Sequence, residues 1–128
     1  MTEKFQIYKC NICGNVVQVL SEGQGGLVCC GEDMELMQIQ HETSELGEKH
    51  EPEIEYRGKQ KFVDVIRHPM TKEHYIQFVQ GIDRDKEELH LKYFHPEQVP
   101  EFDVSYTSDN TEFIELCNIH GLWGNKNG

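Results

Sequence analysis

Cys10 and Cys13 flank the dipeptide Asn11-Ile12, and an adjacent pair, Cys29-Cys30, follows across a glycine-rich turn. Thiolates two residues apart can face one ion, and a second pair brought over by a hairpin completes a tetrahedron. Adjacent side chains on an extended segment point to opposite faces, so Cys29 and Cys30 can share an ion only through a local kink. Zinc and iron both suit four thiolates, so the spacing leaves open a zinc ribbon that only folds the segment and an iron that carries electrons. A vicinal disulfide between Cys29 and Cys30 is a third reading. The odd total of five cysteines opposes it and fits metal ligation in a reducing compartment better than a disulfide framework.

The fifth cysteine stands far downstream, in Cys117-Asn118-Ile119-His120-Gly121. A thiolate and an imidazole this close can clasp one ion in a tight turn, and Gly121 frees the backbone just beyond. The competing reading is a nucleophilic cysteine with a histidine base. It requires an oxyanion hole and a third, orienting group, and the sequence marks neither. Upstream lie His50 in Glu48-Lys49-His50-Glu51-Pro52, His68 in His68-Pro69-Met70, and His74 in Lys72-Glu73-His74-Tyr75. Each alone is weak evidence, because imidazole is tolerated almost anywhere at neutral pH. His41, His90 and His95 carry no further mark and read as surface residues. Glu48 and Lys49, taken alone, read as solvated loop charges. The cysteines thus divide between one closed metal site and one open site able to do chemistry.

Positioning these groups falls to short strands and turns. Residues 1–38 hold Phe5–Tyr8, Val16–Leu20 and Leu27–Cys30 around the turn Gly23-Gln24-Gly25-Gly26. So few large apolar side chains cannot hold a fold by burial alone, and a bound metal supplies the missing stability. Residues 41–53 are strongly polar and read as a linker or exposed loop. Period-two patterns then recur around Phe62–Ile66, Ile76–Ile82, Leu89–Tyr93 and Phe102–Tyr106, parted by turns at Arg57-Gly58-Lys59 and Asp83-Arg84-Asp85. This pattern predicts an antiparallel sandwich or barrel. The expected architecture is all-β, with a metal module over 1–38 and a β domain over 39–128.

The formal net charge of −11 argues against nucleic acid, whose phosphates need clustered Lys and Arg. No apolar run is long enough to cross a bilayer. Met1–Phe5 lacks the basic and apolar runs of a secretory leader, so a cytoplasmic protein is expected.

Together, Cys10/Cys13/Cys29/Cys30, the Glu48-Lys49-His50 turn, His68-Pro69-Met70 followed by His74, and Cys117-Asn118-Ile119-His120-Gly121 resemble desulfoferrodoxin, the two-iron form of superoxide reductase. The match runs over essentially the whole chain, in the family's order and spacing. The resemblance implies two irons per chain. Cys10, Cys13, Cys29 and Cys30 would hold a rubredoxin-like iron in a desulforedoxin-like module. His50, His68, His74 and His120 would be the equatorial nitrogens of a catalytic iron, with Cys117 its axial thiolate, in an immunoglobulin-like β-sandwich. His120 would bind through Nδ1, which suits its short span from Cys117. Lys49 would draw the anionic substrate, and the Glu48 carboxylate would take the sixth position of the oxidised iron. A homodimer and a rubredoxin-like electron donor are also implied. The chain departs from the commoner pattern at Glu51 and at Leu122, neither a ligand position. The expected reaction is one-electron reduction of superoxide to hydrogen peroxide without release of dioxygen. The alternatives are a small non-haem iron electron-transfer protein and a zinc-ribbon module with a structural metal in each domain.

Overall fold

A computed structural model describes residues 1–41 and 45–125, apart from the side chains of Glu45 and Glu48. Its contacts divide the chain into two compact units, Met1–Gln38 and Ile39–Gly128.

In the first unit, β1 (Ile7–Lys9) pairs antiparallel with β2 (Val16–Gln18), while β3 (Val28–Cys29) and β4 (Glu32–Asp33) form a separate hairpin. A fifth short strand, β5 (Glu35–Leu36), closes the other edge of β1. Cys29 pairs with Glu32, so only Cys30 and Gly31 make the turn, and their φ angles are 53° and 77°. Two positive φ values in a two-residue loop are the signature of a type I′ hairpin turn, a place usually given to Asn-Gly. Cys30 therefore sits in the left-handed region at a cost of about 1–2 kcal/mol. This is the kink that adjacent cysteines need to face one ion. Among the described residues of this unit the buried apolar side chains are Ile7, Cys10 and Val19.

The second unit opens with α1 (Glu45–His50) and continues β6 (Glu53–Arg57), β7 (Gln60–Asp64), β8 (Ile76–Asp83), β9 (Glu88–Tyr93), β10 (Glu101–Asp103), β11 (Glu112–Cys117) and β12 (Gly121–Gly124). The strands form a three-stranded sheet, β10-β7-β6, and a four-stranded sheet, β12-β11-β8-β9, antiparallel throughout. Val63 and Phe102 from the first sheet share one core with Ile76, Val79 and Phe113 from the second, together with Val65, Phe94 and Val104. Two sheets facing across such a core make the immunoglobulin-like sandwich expected of the sequence. Its close packing is evident at Gly81, where an added Cβ would lie 2.8 Å from the Phe113 ring. The polar stretch read as a linker is in part helical, because α1 occupies its middle.

Cys117 belongs to the same core and ends β11, where the register against β8 slips between Leu116 and Cys117. Such irregularities re-aim a side chain at a sheet's rim. The slip turns the Cys117 sulfur toward one end of the sandwich, where α1 contacts β12.

Candidate metal centres

The type I′ turn brings Cys29 and Cys30 back toward the Cys10–Cys13 loop. The ligand atoms of Cys10, Cys13, Cys29 and Cys30 all lie within 4.8 Å of one another. The Sγ atoms of Cys13 and Cys29 are 3.5 Å apart, and those of Cys29 and Cys30 are 3.9 Å apart. A tetrahedron with metal–sulfur bonds of about 2.3 Å has edges of about 3.8 Å. The four sulfurs therefore fit a single ion. They do not fit a vicinal disulfide, whose sulfurs lie about 2.05 Å apart, and all five cysteines are free. The Cys13 amide donates to the Cys10 sulfur at 3.5 Å, and the Asn15 side-chain amide to Cys29 at 3.8 Å. The amides of Cys13 and Ile12 draw the Cys10 thiol down to about 6. Cys29, facing the Cys10 and Cys13 sulfurs, is pushed up to about 12. Of these two thiols, Cys10 is thus the readier to give up its proton to an incoming ion.

The second centre collects residues from three separate stretches of chain. His50 ends α1, His68 and His74 stand in the loop between β7 and β8, and Cys117 and His120 flank the turn from β11 to β12. The ring centroids form a closed circuit: His50 to His68 4.6 Å, His68 to His74 4.5 Å, His74 to His120 5.0 Å, and His120 to His50 4.8 Å. The diagonal from His50 to His74 is longer, 6.2 Å. Four nearly equal sides and a longer diagonal describe four imidazoles around a common centre. The Cys117 sulfur lies 3.2 Å from His68 Nε2 and 3.7 Å from His120 Nδ1. His120 turns Nδ1 inward, 3.1 Å from His50 Nε2.

Two rings are aimed by their outer nitrogens. His50 Nδ1 meets the Leu46 carbonyl at 2.8 Å, one helical turn back, and His68 Nδ1 meets the Pro69 carbonyl at 2.6 Å. Such bonds fix the tautomer and leave Nε2 free for an ion. Burial depresses the basicity of His50, His68 and His74, that of His68 to about 4, so these imidazoles are neutral near pH 7. Among the described residues, His74 Nε2 is buried with no hydrogen-bond partner. A buried nitrogen left unpaired among three other imidazoles and a thiol is one that a cation would satisfy. Burial pushes the Cys117 thiol up, while the amides of His120 and Ile119 pull it back. A thiol only 1% exposed and ringed by imidazoles is a poor nucleophile for an external carbonyl but a suitable metal ligand.

Lys49 is exposed and lines a shallow groove with Glu51, Glu53, Asp64, Val65, Ile66 and Arg67. Its positive charge is among the causes that depress His50 and His74. Glu48 lies on α1 with its side chain outside the described residues. His41, His90 and His95 stand apart from the circuit, His41 against the Gly124 carbonyl and His90 against Tyr106.

Residues 2–37 match the family described as desulfoferrodoxin, N-terminal domain, and residues 42–126 match the family described as desulfoferrodoxin. The chain belongs to the desulfoferrodoxin family. This member is 43% identical over 125 residues to a desulfoferrodoxin homolog of Archaeoglobus fulgidus, an alignment covering 96% of this chain and 98% of that one. It is 33% identical over 110 residues to a superoxide reductase of Pyrococcus abyssi, covering 62% and 86%. Its fold is that of the superoxide reductase from Treponema pallidum, with a TM-score of 0.69, 24% identity, and coverage of 94% and 97%.

Three residues at the second centre were not anticipated from sequence. Trp123, the chain's one tryptophan, stacks on His50 at 4.8 Å and donates its Nε1 proton to the His120 carbonyl at 3.1 Å. The Gln40 side-chain amide reaches the same carbonyl at 2.7 Å. A lone tryptophan three residues beyond a candidate ligand was the available signal. Gln40 offered none.

Glu115 is the third, fully buried opposite Val79 and Trp123, two residues before Cys117. Among the described residues neither carboxyl oxygen has a hydrogen-bond partner, and burial drives the group well above the ordinary carboxylate range. The folded chain keeps a proton that the unfolded chain loses near pH ~4.3, so stability falls as pH rises above that value. The loss is about 1.4 kcal/mol per pH unit until the folded-state value is passed. Glu115→Gln is therefore expected to gain on the parent progressively as the pH is raised above about 5. Urea midpoints across that range check this, and a pH-independent difference would contradict it.

Proposed function

We propose that the chain is a superoxide reductase, reducing superoxide by one electron to hydrogen peroxide without releasing dioxygen. The observation that carries this reading is the circuit of four imidazoles closed over the Cys117 sulfur. Family membership and the resemblance to the Pyrococcus abyssi superoxide reductase support it. His50, His68, His74, His120 and Cys117 hold one iron, and Cys10, Cys13, Cys29 and Cys30 hold a second. Iron held by the first set would supply a one-electron reductant.

The remaining work belongs to the chain. The Cys117 thiolate would give electron density to an ion held there and so make it a better one-electron donor. Four neutral imidazoles leave a divalent ion and one thiolate with a net charge of about +1, which attracts superoxide into an otherwise acidic protein. Lys49, one residue before His50, adds a second positive charge and steers the anion inward. Superoxide would take one electron from the reduced ion and two protons from solvent to give hydrogen peroxide. Glu48 would be a carboxylate ligand for the oxidised ion, as the family resemblance implies. A rubredoxin-like donor would restore the electron. The chain works in the cytoplasm as a homodimer. Residues 1–38 are the iron module and residues 39–128 the catalytic sandwich.

Superoxide generated by a radiolytic pulse tests this. The reduced protein is expected to consume superoxide far faster than spontaneous dismutation, yielding peroxide and no dioxygen. Decay at the spontaneous rate would leave only an electron carrier, and dioxygen in proportion to peroxide would mean a dismutase. Lys49→Ala is expected to slow the bimolecular step on the order of tenfold and to flatten its dependence on salt. An unchanged rate would remove Lys49 from the mechanism.

A further inference from the structure

His50 and His68 are aimed by their own outer nitrogens, but His74 is not. Among the described residues its ring makes no bond to a carbonyl, so its place in the circuit is set by its backbone. One side of that backbone is held locally. The Thr71 amide donates to the His74 carbonyl at 2.9 Å, and the His74 amide meets Thr71 Oγ1 at 3.1 Å.

The other hold comes from the opposite loop. The Asn118 amide donates to the Tyr75 carbonyl at 3.1 Å, and the Tyr75 amide donates back to Asn118 Oδ1 at 2.9 Å. Asn118 Nδ2 donates to the Glu73 carbonyl at 2.9 Å. These bonds fall on the residues immediately before and after His74. Asn118 itself follows Cys117 directly.

We infer that Asn118 is a positioning residue: it locks His74 to the Cys117–His120 turn, so that this imidazole and the Cys117 thiol keep a fixed relation. The inference rests on the reading of His74 and Cys117 as ligands of one ion.

Asparagine in a turn is ordinarily explained by local chemistry, either a left-handed backbone or a bond to its own neighbouring amides. Neither applies, since Asn118 is not among the residues of positive φ. Its side chain is spent on Glu73 and Tyr75, more than forty positions back. The two side-chain bonds require an acceptor and a donor on one short planar group. Aspartate supplies the acceptor alone, alanine supplies neither, and glutamine carries the amide one methylene too far. The clamp also explains how a ring whose outer nitrogen does not aim it can belong to the circuit: any shift of the 117–120 turn carries His74 along.

The test uses the full chain loaded with iron, with two readouts apart from turnover. These are iron retention at the histidine–cysteine site against a competing chelator, and the thiolate-to-iron absorption band of the oxidised protein. Asn118→Ala is expected to weaken retention by about 10–100-fold, as loss of outer supports of metal ligands does, and to shift the band. Asn118→Asp, which keeps the Tyr75 bond, should fall between. In a His74→Ala background, Asn118→Ala should add little, because the residue acts through His74. Parent-like retention and band in Asn118→Ala, while His74→Ala alters both, would overturn the positioning role. An equal further loss in the His74→Ala background would overturn it too, by making Asn118 a general prop of the fold. If His74→Ala itself changes neither readout, the ligand reading beneath the inference fails instead. Should Asn118→Ala not fold, Asn118→Asp decides alone, and a parent-like result there counts against the clamp.

Discussion

Cys117→Ser is expected to abolish superoxide reduction while leaving the sandwich folded, with a rate lower by on the order of 100-fold or more. Loss of a ligand's outer support alone costs about 10–100-fold, and this change removes the ligand atom itself. The sulfur sits 3.2 Å from His68 Nε2 and accepts from the His120 amide at 3.4 Å. It is the one group of the five that can bring negative charge to the ion. A serine hydroxyl does not ionise at neutral pH and is a harder, shorter donor. The site would keep four neutral imidazoles and lose the electron push that makes a bound anion easy to reduce. Packing changes little, because hydroxyl and thiol are similar in size, although burying a hydroxyl costs about 1–3 kcal/mol. The His120 amide, which now meets the sulfur, remains as a partner. Three measurements check the expectation: iron per chain, superoxide decay after a radiolytic pulse, and the urea midpoint. Unimpaired reduction at full iron content would take the thiolate out of the mechanism.

The same cysteine shows what the sequence could and could not disclose. Metal chemistry demands particular side chains, so Cys10, Cys13, Cys29, Cys30 and the Cys117–His120 turn stand out in one dimension. Strands with one wet face are legible as well. Phe102 and Val104 are buried and alternate with exposed Asp103 and Ser105, in β10 and just after it. β11 shows no such alternation, because Phe113, Ile114, Glu115, Leu116 and Cys117 are all buried. A carboxylate on a strand reads as an outward residue, yet Glu115 has no exposure at all. α1 was hidden for a different reason. Six residues are too few to show a helical period, and isolated helices of that length are not stable in water. Its end is held by tertiary contacts instead, as His50 stacks on Trp123 from a strand seventy positions away. The kink at Cys30 was required by ligand geometry, but the type I′ turn that delivers it replaces the usual Asn-Gly with Cys-Gly. Turn preferences alone would have passed over it.

Removing the four-cysteine metal is expected to unfold residues 1–38 and leave residues 39–128 protected. The double variant Cys13→Ser/Cys30→Ser takes one sulfur from each arm of the site, so neither remaining pair can be completed. The unit then has Ile7 and Val19 as its buried aliphatic side chains, with Cys10 beside them. Its strands are two or three residues long. Burial on this scale does not offset the entropy of ordering thirty-eight residues. The turn that presents the sulfurs also costs energy, since Cys30 occupies a left-handed conformation. The ion must therefore supply the difference. Structural zinc in small finger peptides binds with about 10–16 kcal/mol of apparent free energy, and such domains are unfolded without it. The sandwich has its own core across two sheets and owes nothing to those thiols. Amide hydrogen exchange read residue by residue separates the outcomes. Fast exchange at Ile7, Tyr8 and Lys9 of β1, beside unchanged protection in β8 and β11, is the expected pattern. Retained protection in β1 without metal would mean that the small unit folds by packing alone.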